Sequence, residues 1–185
     1  DTLRPEASQV IRALKDRGFY TVMLTGDNPE VAERISEELD LDEVHAGLLP
    51  DEKWQLLAEL REKIGPACMI GDGSNDSPAL ASADVGIGMG GAGNAHVLET
   101  ADVVLMNDDL RKLPFALDLS RYTNKLIRQN VIISLGVKFS VAVFALLGLT
   151  PLWMAVLADI GITLLVTLNG LRAMRFAAPQ LPETA

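Results

Sequence analysis

Two near-continuous apolar runs, residues 130–149 and 152–171, are separated only by the turn at residues 148–151, and they constrain this chain more than any other feature. At about 1.5 Å of rise per residue, each run as a helix is about 30 Å long, the thickness of a bilayer's hydrocarbon layer. Between residues 129 and 171 the only formally charged side chains are Lys138 and Asp159. Arg121, Lys125 and Arg128 precede the first run, and Arg172 and Arg175 follow the second. The positive-inside rule therefore puts both outer ends in the cytoplasm and the turn outside, with Trp153 as an anchor. The expected order is a cytoplasmic connecting helix at 119–129, transmembrane helices at 130–149 and 152–173, and a cytoplasmic tail at 174–185. The lipid bilayer is the expected partner. A buried helical hairpin in a soluble protein is the competing reading.

An ionisable group in mid-membrane is costly, and by default it marks a pathway or a partner. Lys138 lies about 13 Å into the first helix and Asp159 about 12 Å into the second from the opposite end, so their depths agree within about 5 Å. Asp159 is accordingly expected to face the bundle interior as a cation ligand, with Lys138 as its counter-charge. Snorkelling, or a pair that merely holds the hairpin together, is the plainer alternative.

Residues 1–128 have a different character, carrying 23 acidic and 13 basic side chains for a formal charge of −10. Such an acidic surface argues against nucleic acid as a partner. The single cysteine, Cys68, excludes an internal disulfide and suits a reducing cytosol; its place in an apolar run predicts a core residue. His45 and His96 are read as isolated. The charged opening lacks the apolar core of a signal peptide, and its first residue is Asp rather than Met, from which a fragment is expected.

Within this acidic half, short apolar runs alternate with helical periodicity. Ala7, Val10, Ile11 and Leu14 mark a helix over 5–15, stopped by Gly18. A strand at 19–24 ends in the polar loop Thr25, Gly26, Asp27, Asn28, and Pro29 opens a helix to about Leu39. A short strand near Val44, a helix at 50–64, and strands at 67–70, 85–87 and 103–105 complete the pattern. Alternation of this kind predicts a parallel α/β sheet with flanking helices, its working loops beyond the carboxyl ends of the strands.

Three motifs fall at those ends. In Gly71, Asp72, Gly73, Ser74, Asn75, Asp76, the glycines let backbone approach a ligand, and the two carboxylates and the amide offer oxygens to a hard cation such as Mg²⁺. Thr25, Gly26 and Asp27 offer a hydroxyl and backbone amides suited to phosphate oxygens. Lys53 stands at a helix start, where ammonium and helix dipole both favour an anion. Taken alone, Lys53 is more often a solvated surface residue, and the Gly/Asp turn is as readily only a loop.

Together, in this order and followed by a membrane hairpin, these motifs resemble the C-terminal portion of a P-type ATPase, whose phosphorylation domain has the haloacid dehalogenase-like, Rossmann-like fold. The heavy-metal (type IB) pumps are the nearest resemblance, which extends over nearly all of the chain, with residues 1–118 as the C-terminal part of the phosphorylation domain. It implies that Thr25 and Gly26 hold the phosphoryl group, that Lys53 neutralises it, and that Asp72 binds Mg²⁺ with Asn75 and Asp76 in support. Catalysis of this type is mostly positioning and charge neutralisation. The family loop GDGINDAPAL carries Ser74 and Ser77 here in place of Ile and Ala, changes away from the expected Mg²⁺ ligand. The DKTGT segment with the phosphorylated Asp, the nucleotide-binding domain and the Cys-Pro-Cys helix are not in this sequence, so the resemblance implies a fragment inactive without the N-terminal portion of the pump.

The last two helices bear on the cargo. The Tyr-Asn pair and the Met with paired serines of copper pumps are absent, as is the His-Glu-Gly motif of the cobalt-like branch. Lys138 with Asp159, Ile160 and Gly161 resembles the zinc/cadmium/lead branch, and a carboxylate suits divalent cations better than Cu⁺. The resemblance thus implies an ATP-driven Zn²⁺, Cd²⁺ or Pb²⁺ exporter of the plasma membrane, working through an aspartyl phosphate. Two other readings stay open: a membrane-tethered phosphatase of the same fold, and a fragment with a non-enzymatic metal-binding or regulatory role.

Overall fold

The computed structural model describes residues 3–72, 76–89 and 95–177, apart from the side chains of Ala95 and His96. It divides near Pro114 into two compact units. The first contains α1 (Ala7–Lys15), β1 (Val22–Leu24), α2 (Pro29–Leu39), β2 (Glu43–His45), α3 (Pro50–Lys63), β3 (Cys68–Gly71), α4 (Ser77–Ser82), β4 (Val85–Met89), α5 (Ala95–Thr100) and β5 (Val103–Leu105).

Local chemistry sets these boundaries. Val10, Ala13 and Leu14 bury one stripe of α1, and Gly18 takes φ +80° just beyond it. The Asn28 side chain accepts from the Glu30 amide to cap α2, Pro29 fills the first turn, and Asp40 in the left-handed conformation ends the helix. Lys15 Nζ donates to the Asp40 carbonyl at 2.6 Å, joining the end of α1 to that of α2. At the start of the strands, the Thr21 amide and hydroxyl donate to Asp42 at 2.8 and 2.7 Å, and the backbone bond leads in holding that carboxyl below its ordinary value.

All strand pairings are parallel, but the expected single sheet is two. β1 pairs with β2, and β3–β4–β5 form a separate three-stranded sheet. One edge of β1 and one edge of β3 thus pair with no described strand. Leu24 of β1 nevertheless packs on the cluster of Leu57, Met69, Ala79 and Leu80, so the two sheets share a core. Each fully buried leucine there contributes about 1.5–3 kcal/mol. Cys68, expected in that core, opens β3 with an exposed side chain, because β3 begins at the rim of the sheet. Partial loss of water around the sulfur, with the Asp102 carboxylate adding to it, still pushes its thiol up to about 11.

Gly86 and Gly88 of β4 let α4 and α5 lie close on the sheet. A Cβ at Gly86 would stand 2.7 Å from the Leu80 carbonyl oxygen, and one at Gly88 would stand 3.0 Å from Ala101 Cβ. Gly86→Ala is therefore expected to destabilise the fold by about 1–3 kcal/mol. Thermal denaturation of the detergent-solubilised full-length protein measures this, and an unchanged midpoint refutes the close approach.

The second unit is a helical hairpin. α6 (Lys112–Leu146) is one continuous helix, so the connecting helix and the first apolar run are a single element, and α7 (Leu152–Gly170) follows the turn. Gly148 makes that turn at φ +72°. Both helices are long and apolar enough to cross a membrane, and their apolar windows are almost wholly unburied. Beyond α7 the chain folds back, and Phe176 stacks on Tyr122 with ring centroids 4.9 Å apart.

Candidate functional site

The first loop follows β1. Thr25 Oγ1 donates to Asp27 Oδ2 at 2.9 Å, and the Asp27 amide donates back to Thr25 Oγ1 at 3.1 Å, a closed turn at the carboxyl end of the strand. Backbone bonds staple it to the segment before α3: the Leu48 amide donates to the Thr25 carbonyl at 3.0 Å, and the Gly47 amide to the Asp27 carbonyl at 2.9 Å. Gly26 belongs at this close approach, since a Cβ there would lie 3.2 Å from the Leu48 carbonyl oxygen.

Lys53 sits in the first turn of α3, immediately past that staple. Pro50 fills the opening position, and the Glu52 carboxylate accepts from the Leu49 amide at 2.8 Å, fixing where the helix begins. From there Lys53 Nζ reaches Asp76 Oδ1 at 2.7 Å. With side chains only 14% and 18% exposed, this pair is well withdrawn from water. The placement overturns the solvated-surface reading of Lys53. In turn, the Asp76 side chain lies over Gly71, where an added Cβ would stand 3.1 Å from Asp76 Cβ and 3.2 Å from its Oδ2, next to Asp72 at the end of β3.

Thr25–Asp27 is thus tied to Gly47–Leu48 just ahead of α3, and Lys53 of α3 is tied to Asp76, which lies over Gly71 at the end of β3. Gly73, Ser74 and Asn75 lie outside the described residues. Asp72, directly after β3, is exposed and offers two carboxylate oxygens. Such all-oxygen donors, few in number, fit Mg²⁺, which is held by one or two carboxylates and keeps several waters. Among the described residues, no group of three or more His, Cys, Asp or Glu side chains converges as a metal site. His45, read as isolated, has Glu43 as a partner at 2.7 Å, and this contact leads in holding the Glu43 carboxyl below its ordinary value.

In the hairpin, Lys138 Nζ stands 3.1 Å from Asp159 Oδ1. The pair borders a cavity of about 290 Å³ lined also by Val141, Ala145, Ala155 and Ile162. Small side chains on both helices leave this space, and the acid and base give it a polar wall. The sequence reading missed a second polar contact, between Asn130 and Asn169, whose signal was an amide near one end of each apolar run.

A family model described as haloacid dehalogenase-like hydrolase matches residues 1–84. The chain is 47% identical over 176 residues to a probable cadmium-transporting ATPase of Listeria monocytogenes, covering 95% of this chain and 25% of that protein. It is 49% identical over 175 residues to the zinc/cadmium/lead-transporting P-type ATPase of Escherichia coli K12, covering 95% and 24%. The chain thus spans about a quarter of the length of these relatives. Among solved structures it resembles the catalytic CPx-ATPase domain CopB-B, with TM-score 0.57 and 33% identity, over 63% of this chain and 46% of that one.

Proposed function

We propose, for a chain that belongs with the cadmium- and zinc-transporting P-type ATPases and carries a haloacid dehalogenase-like domain, that it is the C-terminal part of an ATP-driven exporter of Zn²⁺, Cd²⁺ or Pb²⁺. The observation that carries the reading is the 3.1 Å contact of Lys138 with Asp159 inside two apolar runs that hold no other formal charge. A bilayer makes such charges expensive, by roughly 2.5–3.5 kcal/mol each on insertion scales, which suits an ion path better than a structural strut.

In the whole protein, an Asp outside these 185 residues takes the γ-phosphoryl of ATP, ADP leaves, and water later hydrolyses the aspartyl phosphate. The unpaired edges of β1 and β3 suit a strand that would carry this Asp into the sheet. The Gly26 amide and the Thr25 hydroxyl, its proton turned from Asp27 Oδ2, then hold phosphoryl oxygens, while the Asp27 amide keeps Thr25 Oγ1 in place. Lys53 brings positive charge against the phosphoryl group, while Asp76 keeps its ammonium aimed at the edge of the sheet. Asp72, with Gly71 and Gly73 backbone and support from Asn75, would hold Mg²⁺, which supplies charge neutralisation to the transferring phosphoryl group. In the membrane, Asp159 offers oxygen to the cargo, and Lys138 replaces the cargo as its partner between cycles. The flanking arginines and lysine support a cytoplasmic first unit, and the likeness to metal-transporting ATPases suits a multi-pass protein of the plasma membrane.

The test is ATP hydrolysis by the full-length protein across a panel of cations. Zn²⁺, Cd²⁺ and Pb²⁺ are expected to stimulate it and Cu⁺ is not, and Asp72→Asn is expected to abolish the Mg²⁺-dependent rate. Stimulation by Cu⁺ alone, or normal turnover by Asp72→Asn, overturns the reading.

A further inference from the structure

The charge pair is weakly held by its own surroundings. Within the hairpin, Lys138 and Asp159 touch through one Nζ–Oδ1 contact, and their side chains are 56% and 59% exposed, so packing between α6 and α7 does not by itself clamp them. The rotation and register of α6 against α7 must do so. Along the seam, the residues withdrawn from solvent recur every three or four positions, as at Asn130, Ser134 and Val137 of α6 and Ala158, Ile162 and Val166 of α7. Apolar side chains alone fix such a seam poorly, since sliding by one turn exchanges one aliphatic contact for another.

The polar contacts are specific. Asn169 Nδ2 donates to Asn130 Oδ1 at 2.8 Å, and Asn130 Nδ2 donates across the seam to the Val166 carbonyl at 3.1 Å. Arg172 donates from its guanidinium to Asn169 Oδ1 at 3.1 Å, so both carboxamide oxygens are satisfied. Asn130 precedes Lys138 by eight residues and Asn169 follows Asp159 by ten, which puts this clamp about 12–15 Å from the charge pair along the same antiparallel seam. A slip of one residue turns a helix by about 100° and advances it about 1.5 Å, which would break the amide pair and separate Lys138 from Asp159 together.

We propose that Asn130 and Asn169 are positioning residues for the intramembrane site: their amide clamp sets the hairpin register that holds Asp159 beside Lys138. This rests on Asp159 as the cargo carboxylate. In the full-length protein, Asn130→Leu and Asn169→Leu are each expected to raise the Zn²⁺ or Cd²⁺ concentration that half-stimulates ATP hydrolysis by about 10- to 100-fold, the effect of losing a partner that orients a metal ligand. The maximal rate is expected to stay within about 2-fold, and the double variant to be no worse than either single, as for one shared interaction. Asn130→Gln keeps the amide but displaces it by a methylene, so it is expected to accumulate normally and still weaken half-stimulation. A lower melting temperature with unchanged half-stimulation makes the clamp a structural fastener and overturns the proposal, as does failure of all three variants to accumulate in the membrane. If Asp159→Ala itself leaves stimulation intact, the underlying cargo reading fails instead.

Discussion

Lys53→Ala in the full-length protein is expected to lower metal-stimulated ATP hydrolysis by about 10²–10³-fold, the loss typical of removing one preorganised charge-stabilising donor from a reacting oxyanion. The size follows from the burial of the pair. At 14% exposure Lys53 acts where water screens poorly, and its 2.7 Å contact with Asp76 fixes its ammonium before any phosphoryl group arrives. Removing the ammonium also leaves the Asp76 carboxylate unpaired beside Gly71, so negative charge gathers where a phosphoryl group needs the opposite. Lys53→Arg retains charge but changes its shape and reach, and is expected to keep more activity than Lys53→Ala. Because the two residues act as a unit, adding Asp76→Asn to Lys53→Ala should cost less than the two single losses combined. Initial rates of phosphate release measure this, and a Lys53→Ala rate within about threefold of the parent removes Lys53 from the chemistry.

The α/β alternation was legible because periodicity and stop signals are local. Asn28 with Pro29 opens α2 and Pro50 opens α3 where the sequence indicates, and the strand at Val103–Leu105 falls where its short apolar run lies. The division into two sheets was not legible, since strand pairing is decided by residues distant in sequence. Periodicity likewise could not show that Cys68 starts β3 at an exposed rim, since burial depends on what covers a strand and not on its own composition. In the first unit, residue types and order marked Asp72 and Lys53 only as candidates, and the Lys53–Asp76 contact spans 23 positions and needed the folded backbone. The Lys138–Asp159 pair was easier, because the known helical rise puts the only two charges of the apolar runs at matching depths. The amide clamp escaped for the opposite reason: Asn130 marks the start of an apolar run as naturally as it marks a contact.

Asp159→Ala and Lys138→Ala should have opposite effects on cation affinity, and this contrast separates an ion site from a structural strut. Without Asp159 the cargo loses its carboxylate and Lys138 is left as an uncompensated cation bordering the same cavity. Half-stimulation by Zn²⁺ or Cd²⁺ is then expected to move up by at least about 100-fold, beyond the effect of losing a supporting residue, with zinc tolerance of the host lost. Without Lys138, the carboxylate has no resident partner and the cargo has no competitor. Half-stimulation is expected to fall, and the maximal rate to fall with it, because a cation held more tightly leaves more slowly. A strut predicts something else: either truncation breaks the same contact, so both variants would lose stability alike and neither would shift half-stimulation. Cation titrations of ATP hydrolysis on the two variants, run beside their melting curves, decide between these outcomes, and matched shifts in the same direction would rule out the counter-charge role of Lys138.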